Sequence, residues 1–194
     1  FFREFHHVDF IKNTAIPEWK SNLHRKKLRI WSAGSSTGEE AYSIAMTLND
    51  QIPNAWDTKI LATDLDTNVV AQGESGIYSP DRVGDLSSTL VSQYFDKIGS
   101  GEKERVQVKK SLRDMTFFKP LNLLQDWPMS GQFEMIFCRN VVIYFDKPTQ
   151  KLLFNRFADL LFPGGYLIIG HAESMYNLSD RFTSIGNTVY RKTK

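Results

Sequence analysis

The sequence predicts an α/β protein with a mostly parallel sheet, closed near its C-terminus by an antiparallel hairpin. Three observations carry this. Mostly apolar runs at 28–33, 59–63, 115–118, 132–138 and 166–169 suit buried parallel strands, and segments of helical periodicity separate several of them. The first run passes through Gly34 and Gly38 into a helix marked by Tyr42, Ala45, Met46 and Leu48, the strand, glycine turn and helix of a ligand site in an open sheet. In the tail, Phe182, Thr183 and Ile185 precede Gly186-Asn187, and Val189 and Tyr190 follow, as in a hairpin.

A chain of 194 residues makes one domain, or one with a small insertion, and 41% hydrophobic residues suffice for a core. The formal charge of +2 is too small to argue for nucleic acid. A single cysteine, Cys138, excludes an internal disulfide framework and points to a reducing compartment. No apolar run reaches the 18 residues of a membrane span and no signal peptide is visible, so a cytoplasmic location without membrane insertion is expected. Phe1-Phe2-Arg3-Glu4-Phe5 reads as the middle of a domain, so a longer natural chain is expected.

In the first segment, Phe2, Phe5, Phe10, Ile11, Ile16, Trp19 and Leu23 are spaced like short amphipathic helices expected across one edge of the sheet. Arg3 either snorkels from a packed face or points into a pocket, and composition alone favours snorkelling. His6 and His7 are adjacent, a poor spacing for metal ligands on a helix, so they read as surface or packing residues and no metal site is expected. Lys20, His24, Arg25, Lys26, Lys27 and Arg29 read as a solvated stretch before the first strand.

The turn then narrows the ligand. A helix N-terminus favours phosphate, but Glu39 and Glu40 stand there and would repel a pyrophosphate, and no Lys follows Gly38 as a P-loop requires. A cofactor carrying an amine and a sulfonium, S-adenosylmethionine, fits better than NAD. The plain alternative is that both glutamates cap the helix. Asp64, at the tip of the second strand, sits where a carboxylate accepts from a ribose diol, and Asp66 would cap the helix starting near Thr67.

From 81 to 113 a short helix precedes Arg105-Val106-Gln107-Val108-Lys109, which alternates as a half-exposed strand. The segment reads as an inserted β-subdomain at about 95–118, and Lys103, Arg105, Lys109, Lys110 and Arg113 make it cationic, either for docking a partner or as a charged edge. Asn122 falls past a strand end, where its amide could read an adenine edge, and Arg139-Asn140 lie at the crevice end of another strand. Tyr144 reads by default as a core tyrosine. Leu152, Leu153, Phe157, Leu160 and Leu161 share a helical face that Pro163-Gly164-Gly165 should stop, and Gly170-His171-Ala172-Glu173 end the fifth strand.

Together these motifs closely resemble the chemotaxis receptor glutamate methyltransferases, the CheR family. The resemblance covers nearly the whole chain. It rests on Phe1-Phe2-Arg3, on 29–40 with Ser35-Ser36-Thr37-Gly38-Glu39-Glu40, on Ala62-Thr63-Asp64-Leu65-Asp66, on 137–146 around Arg139-Asn140, on 161–167 and on Gly170-His171-Ala172-Glu173-Ser174. It implies a Rossmann-like methyltransferase fold with a seven-stranded sheet and a small β-subdomain. It also implies that Glu39, Asp64, Asn122, Leu123, Arg139 and Asn140 contact S-adenosylmethionine, released as S-adenosylhomocysteine, with Arg3 and Tyr144 beside the transferring methyl; Gly34 and Arg3 complete the expected cofactor set. The implied partner is the cytoplasmic helices of a chemoreceptor, with a receptor C-terminal peptide docking on the β-subdomain of a monomer. Ala41 stands where the family pattern has proline, and the family's upstream basic helical domain has no counterpart in this sequence. Two rivals lose ground on residues: pyrophosphate would meet Glu39 and Glu40, and Arg139-Asn140-Val141-Val142 replaces the motif that holds a flipped base. A non-catalytic module that binds the cofactor is the remaining alternative.

Overall fold

The computed structural model describes residues 1–22, 24 and 26–193. The expectations for Leu23 and Arg25 lie outside the described residues. A continuous helical run opens the chain: α1 (Phe5–Phe10), a π-helical stretch (Ile11–Ala15) and α2 (Ile16–Asn22). Next come β1 (Lys27–Ala33), α3 (Glu39–Gln51), β2 (Asp57–Asp64) and α4 (Thr67–Ser75). The middle of the chain forms β3 (Ile77–Tyr78), α5 (Ser88–Tyr94), β4 (Phe95–Ile98), β5 (Arg105–Val108) and α6 (Lys110–Arg113). The last third forms β6 (Thr116–Pro120), β7 (Phe133–Cys138), α7 (Lys147–Leu160), β8 (Leu161–Ile169), β9 (Phe182–Gly186) and β10 (Val189–Lys192).

Seven strands make one sheet in the order β6-β2-β1-β7-β8-β10-β9, and β3-β5-β4 make a second, antiparallel one. β6, β2, β1, β7 and β8 are parallel neighbours. β10 is antiparallel to both β8 and β9, so the antiparallel strand lies inside the sheet and β9 forms the edge. From β1 the chain moves outward through β2 and β6, then crosses to β7 on the other side. The carboxyl ends of β1 and β7 therefore flank the switch point where open α/β sheets bind ligands.

Alternation along the strands builds two cores. Leu28, Ile30, Met135, Phe137, Tyr166 and Ile168 face one side with the N-terminal helices and α3. Trp31, Ala33, Ile136, Cys138, Leu167 and Ile169 face the other with α7. At about 25 cal/mol per Å² of buried apolar surface, this double burial dominates the stability of the domain.

Four expectations need correcting. The N-terminal helices cover a face, not an edge: Phe10 meets Tyr166 edge-on, and Glu18 accepts from the Tyr166 hydroxyl at 2.5 Å. The small sheet draws on 77–108, whereas 116–120 pairs with β2 in the main sheet. On α7, Leu152 is exposed, and Leu153, Phe154, Phe157 and Ala158 make the buried face. Leu161 is already extended, so 163–165 do not stop a helix; they form the register shift in β8 between its pairings at Leu161 and Tyr166.

Candidate active site

A cavity of about 920 Å³ opens at the carboxyl ends of the central strands, within the size range of small-molecule sites. Its wall includes Arg3, Gly34, Glu39, Asp64, Asn122, Leu123, Arg139, Asn140 and Tyr144, brought together from five separate stretches of chain. The switch point makes this convergence possible, because every loop at that end of the sheet faces the same crevice.

The glycine turn is held by its own backbone. Gly34 and Ser35 both donate to the Thr63 carbonyl at 2.8 Å, which locks the exit of β1 to the end of β2. Gly34 has φ +85°, and a Cβ there would come within 2.4 Å of Val141 Cγ2, so only glycine permits this turn and this contact. Asp64 accepts from Ser36 N at 2.8 Å through Oδ2 and from Asp66 N at 3.1 Å through Oδ1. Its carboxylate is thus aimed before any ligand arrives, with lone pairs left over. Asp66 caps α4 by accepting from Asn68 N at 2.8 Å, as its position predicts.

Glu39 and Glu40 diverge. The Glu39 carboxylate stays on the cavity wall, where it accepts from Thr37 Oγ1 at 2.6 Å and pairs with Arg82 at 3.3 Å. Glu40 turns inward, accepting from Ser32 Oγ at 2.7 Å and from Arg139 at 3.0 Å. Burial pushes the Glu40 carboxyl above its usual range, against the pull of Arg139 and Ser32. Neither side chain caps α3. Arg139 also pairs with Glu4 at 3.3 Å, and its side chain is only 7% exposed. Its charge is therefore committed between two carboxylates. Glu4 further contacts His171 Nδ1 at 3.0 Å; burial opposes its ionisation, but His171 and Arg139 hold its carboxyl below the usual range.

Periodicity could not find Glu4, Arg82 or the inward turn of Glu40, since each acts across the fold on a residue of another element. Glu4, His6 and His7 offer ligand atoms within 4.8 Å of one another, but the fixed charge of Arg139 beside Glu4 opposes a metal cation there. His7 packs into the core and bonds the Asn187 carbonyl at 3.1 Å, and burial and then Arg139 push it down to about 4.

On the remaining wall, Asn122 lines the cavity and its Oδ1 accepts from Leu124 N at 2.9 Å. Leu123 is buried in the α7-side core while still contributing to the wall. Leu65 and Leu124 line the cavity with exposed apolar side chains. Arg3 is exposed, borders the cavity beside Phe1 and Phe2 and, among the described residues, has no ion-pair partner. Tyr144 is 80% exposed at the rim, not a core tyrosine. Asn140 takes φ +57°, which turns the chain sharply after β7.

The strand order, the crevice and the glycine turn define a class, the S-adenosylmethionine-dependent methyltransferases. The crystal structure of the DszA carbon methyltransferase has this fold, superposing with TM-score 0.54 over 84% of this chain and 34% of that one at 16% identity. The sequence profile of the CheR methyltransferase family, SAM-binding domain, matches residues 1–191. A probable chemotaxis protein methyltransferase of Rhizobium etli is 41% identical across all of this chain and 74% of its own length. The chemotaxis protein methyltransferase of Escherichia coli is 42% identical across all of this chain and 66% of its own. Chemotaxis protein methyltransferase 2 of Pseudomonas aeruginosa is 40% identical across 98% and 68%. The chain belongs to the CheR family, as its S-adenosylmethionine-binding methyltransferase domain, and spans roughly two thirds to three quarters of these relatives.

The cavity suits S-adenosylmethionine on its own chemistry. Ser35 lines it with a buried hydroxyl that has no partner among the described residues. The carboxylates on its wall, Glu39, Glu40 and Asp64, suit a cationic, hydroxyl-rich molecule, and the exposed leucines suit an aromatic base. Among the described residues, no helix is long and apolar enough to cross a membrane.

Proposed function

We propose that this domain transfers the methyl group of S-adenosylmethionine to the side-chain carboxylate of a chemoreceptor glutamate, leaving a methyl ester. One observation carries the reading. A single cavity combines two aimed carboxylates, Glu39 and Asp64, with Arg3, a cation that has no ion-pair partner among the described residues, and an exposed phenol, Tyr144, in a chain whose own full length aligns with chemotaxis methyltransferases.

Asp64, with both oxygens already oriented, takes the ribose diol, and Glu39 takes the ammonium group. Gly34 allows close approach of the methionine portion, for which Arg3 supplies a counter-charge to the carboxylate. Asn122 and Leu123 hold the adenine, helped by Leu65 and Leu124. The Arg139-Asn140 pair contributes through the Asn140 amide and the backbone, because the Arg139 guanidinium is engaged by Glu4 and Glu40.

When bound, the cofactor supplies an electrophilic sulfonium methyl. A glutamate carboxylate of ordinary pKa, about 4.3, is ionised at neutral pH, so this chain needs no general base. Its task is to aim one oxygen at the methyl carbon. Attack forms the C–O bond as the C–S bond breaks, and both charges disappear. A tight ion pair on the attacking oxygen would therefore hold back the ground state more than it helps the transition state. Tyr144, a neutral donor, and Arg3, at the solvent edge, can orient the second oxygen and leave the attacking lone pair free.

The small sheet, with Lys103 and Arg105 exposed, is the surface we assign to a receptor C-terminal peptide. Arg105, Lys109 and Lys110 are also engaged locally, by the Glu104 carbonyl, the Ser92 carbonyl and Asp114. The same reading makes the domain a cytoplasmic monomer without nucleic-acid binding.

The test is transfer of labelled methyl from S-adenosylmethionine to a purified receptor cytoplasmic fragment, followed by alkaline hydrolysis. Label released as methanol, and lost when the receptor's acceptor glutamates become alanine, is expected. Alkali-stable label contradicts the ester. Saturable cofactor binding without transfer to any receptor favours the non-catalytic binding module instead.

A further inference from the structure

The segment 140–145 presents Asn140 and Tyr144 to the cavity, yet one 3-10 turn, Val142–Tyr144, is its only regular structure. Two bonds of its own, Tyr144 N to Val141 O at 3.2 Å and Phe145 N to Val142 O at 3.1 Å, cannot fix where it sits. Backbone groups near a core must find partners, and here they find two buried side chains from later in the sequence. Glu173 accepts from Val141 N at 2.9 Å and Ile143 N at 3.2 Å through Oε1, and from Asn140 N at 3.0 Å and Gly170 N at 2.6 Å through Oε2. On the carbonyl side, Gln150 of α7 donates through Nε2 to Val142 O at 2.8 Å and Phe145 O at 2.9 Å.

The geometry points to Glu173 and Gln150 as a two-sided clamp that positions Tyr144 for methyl transfer, a role that rests on Tyr144 acting at the acceptor. Glu173 gathers the donors of the segment and Gln150 gathers its acceptors. A carboxylate has about four lone-pair sites, and all four are filled, so Glu173 has none left for substrate or proton. It is a positioning residue, not a catalytic one. Glu173 and Gln150 are 5% and 7% exposed and neither lines the cavity. Gly170 is part of the device: a Cβ there would lie 3.0 Å from Asn140 N and from Glu173 Oε2. Bonds to a charged acceptor are stronger than neutral ones and shorten the approach of strand ends β7 and β8. The clamp also reaches the cofactor side, since Val141 abuts Gly34.

The conservative variant is Glu173→Gln, which halves the acceptor capacity and turns an NH2 toward backbone N–H groups. Misplacing a reacting group by about 1 Å costs on the order of a hundredfold in rate, so kcat is expected to fall between about tenfold and a hundredfold. A residue that only supports the fold would lower kcat equally with and without the phenol. The decisive readout is therefore a double-mutant cycle with Tyr144→Phe, run well below each variant's Tm. In the Tyr144→Phe background, Glu173→Gln should cost less than about threefold, because the group it positions is gone. Equal losses in both backgrounds, or no loss in either, overturn the inference. If Glu173→Gln does not fold, Gln150→Met keeps the shape of α7, removes both donations and must give the same signature. If the unmutated chain methylates no receptor, the ester reading fails separately, and amide hydrogen exchange at Val141 and Ile143 decides the clamp: selective acceleration in Glu173→Gln supports it, and unchanged protection overturns it.

Discussion

The two walls of the cavity are held in different ways. The glycine turn with Asp64 is fixed locally: Gly34, Ser35 and Ser36 bond to Thr63 and Asp64 across neighbouring parallel strands. The 140–145 segment has almost no local support and is held by Glu173 and Gln150. The difference suits their tasks. On the proposed reading, a cofactor of fixed shape needs a rigid, repeatable cradle, whereas the acceptor side must set one phenol at a rim where a protein substrate arrives. The walls meet where Gly34 packs on Val141.

The largest expected effect comes from breaking that meeting point. Gly34→Ala forces a Cβ into Val141 at a positive φ, and should cost about 2 kcal/mol or more of stability, read as a lower Tm in urea or heat. Adding Val141→Ala should recover part of the loss; no recovery would mean that backbone strain alone explains it and that the walls are not coupled there. Next in size, Asp64→Ala should weaken S-adenosylhomocysteine binding by about 1.5–3 kcal/mol, roughly ten- to a hundredfold, with kcat at saturating cofactor nearly kept. Calorimetry checks it, and unchanged affinity removes Asp64 from the ribose.

A third effect belongs to His7, on the cavity wall. His7 is held down to about 4 by burial and then by Arg139, against 6.5 for a free histidine. Above pH 6.5 it is neutral folded or unfolded and has no effect on stability. Below that, the unfolded chain takes up a proton that the native chain refuses, so stability falls as the pH drops toward about 4, by at most on the order of 2–3 kcal/mol. Urea midpoints between pH 7 and 4.5 should show the slope, and His7→Asn should flatten it. The smallest effect belongs to Arg82→Ala. The Arg82–Glu39 pair is half-exposed and worth under about 1 kcal/mol, so cofactor affinity should rise slightly, by less than about threefold, as Glu39 is freed.

Much of this was legible in the residues, and unevenly. Local devices can be read directly: Gly34 and Gly38 announced the turn, Asp64 the tip of β2, Asp66 the cap, and mostly apolar runs the sheet. Glu39 and Glu40 look alike in sequence and both line the cavity, yet one pairs with Arg82 and the other with Arg139. That choice depends on a strand tip 99 residues away. Arg3 and Tyr144 lean by composition toward packing, and only the resemblance to a family moved them to the site. Pro163-Gly164-Gly165 reads as a helix stop and is a bulge, because the pull of β7 on Leu161 outweighs the local turn signal. Glu173 bonds a segment 30 to 33 residues earlier, and no spacing rule reports a partnership of that kind.

The most direct test of the division between the walls is Tyr144→Phe, with S-adenosylhomocysteine affinity and kcat measured on the same preparation. Because Tyr144 is exposed, stability should stay within about 0.5 kcal/mol. Affinity should stay within about twofold while kcat falls by about tenfold or more, as for a lost orienting donor. Unchanged turnover, or a loss of affinity as large as the loss of turnover, would contradict the assignment of the second wall to the acceptor.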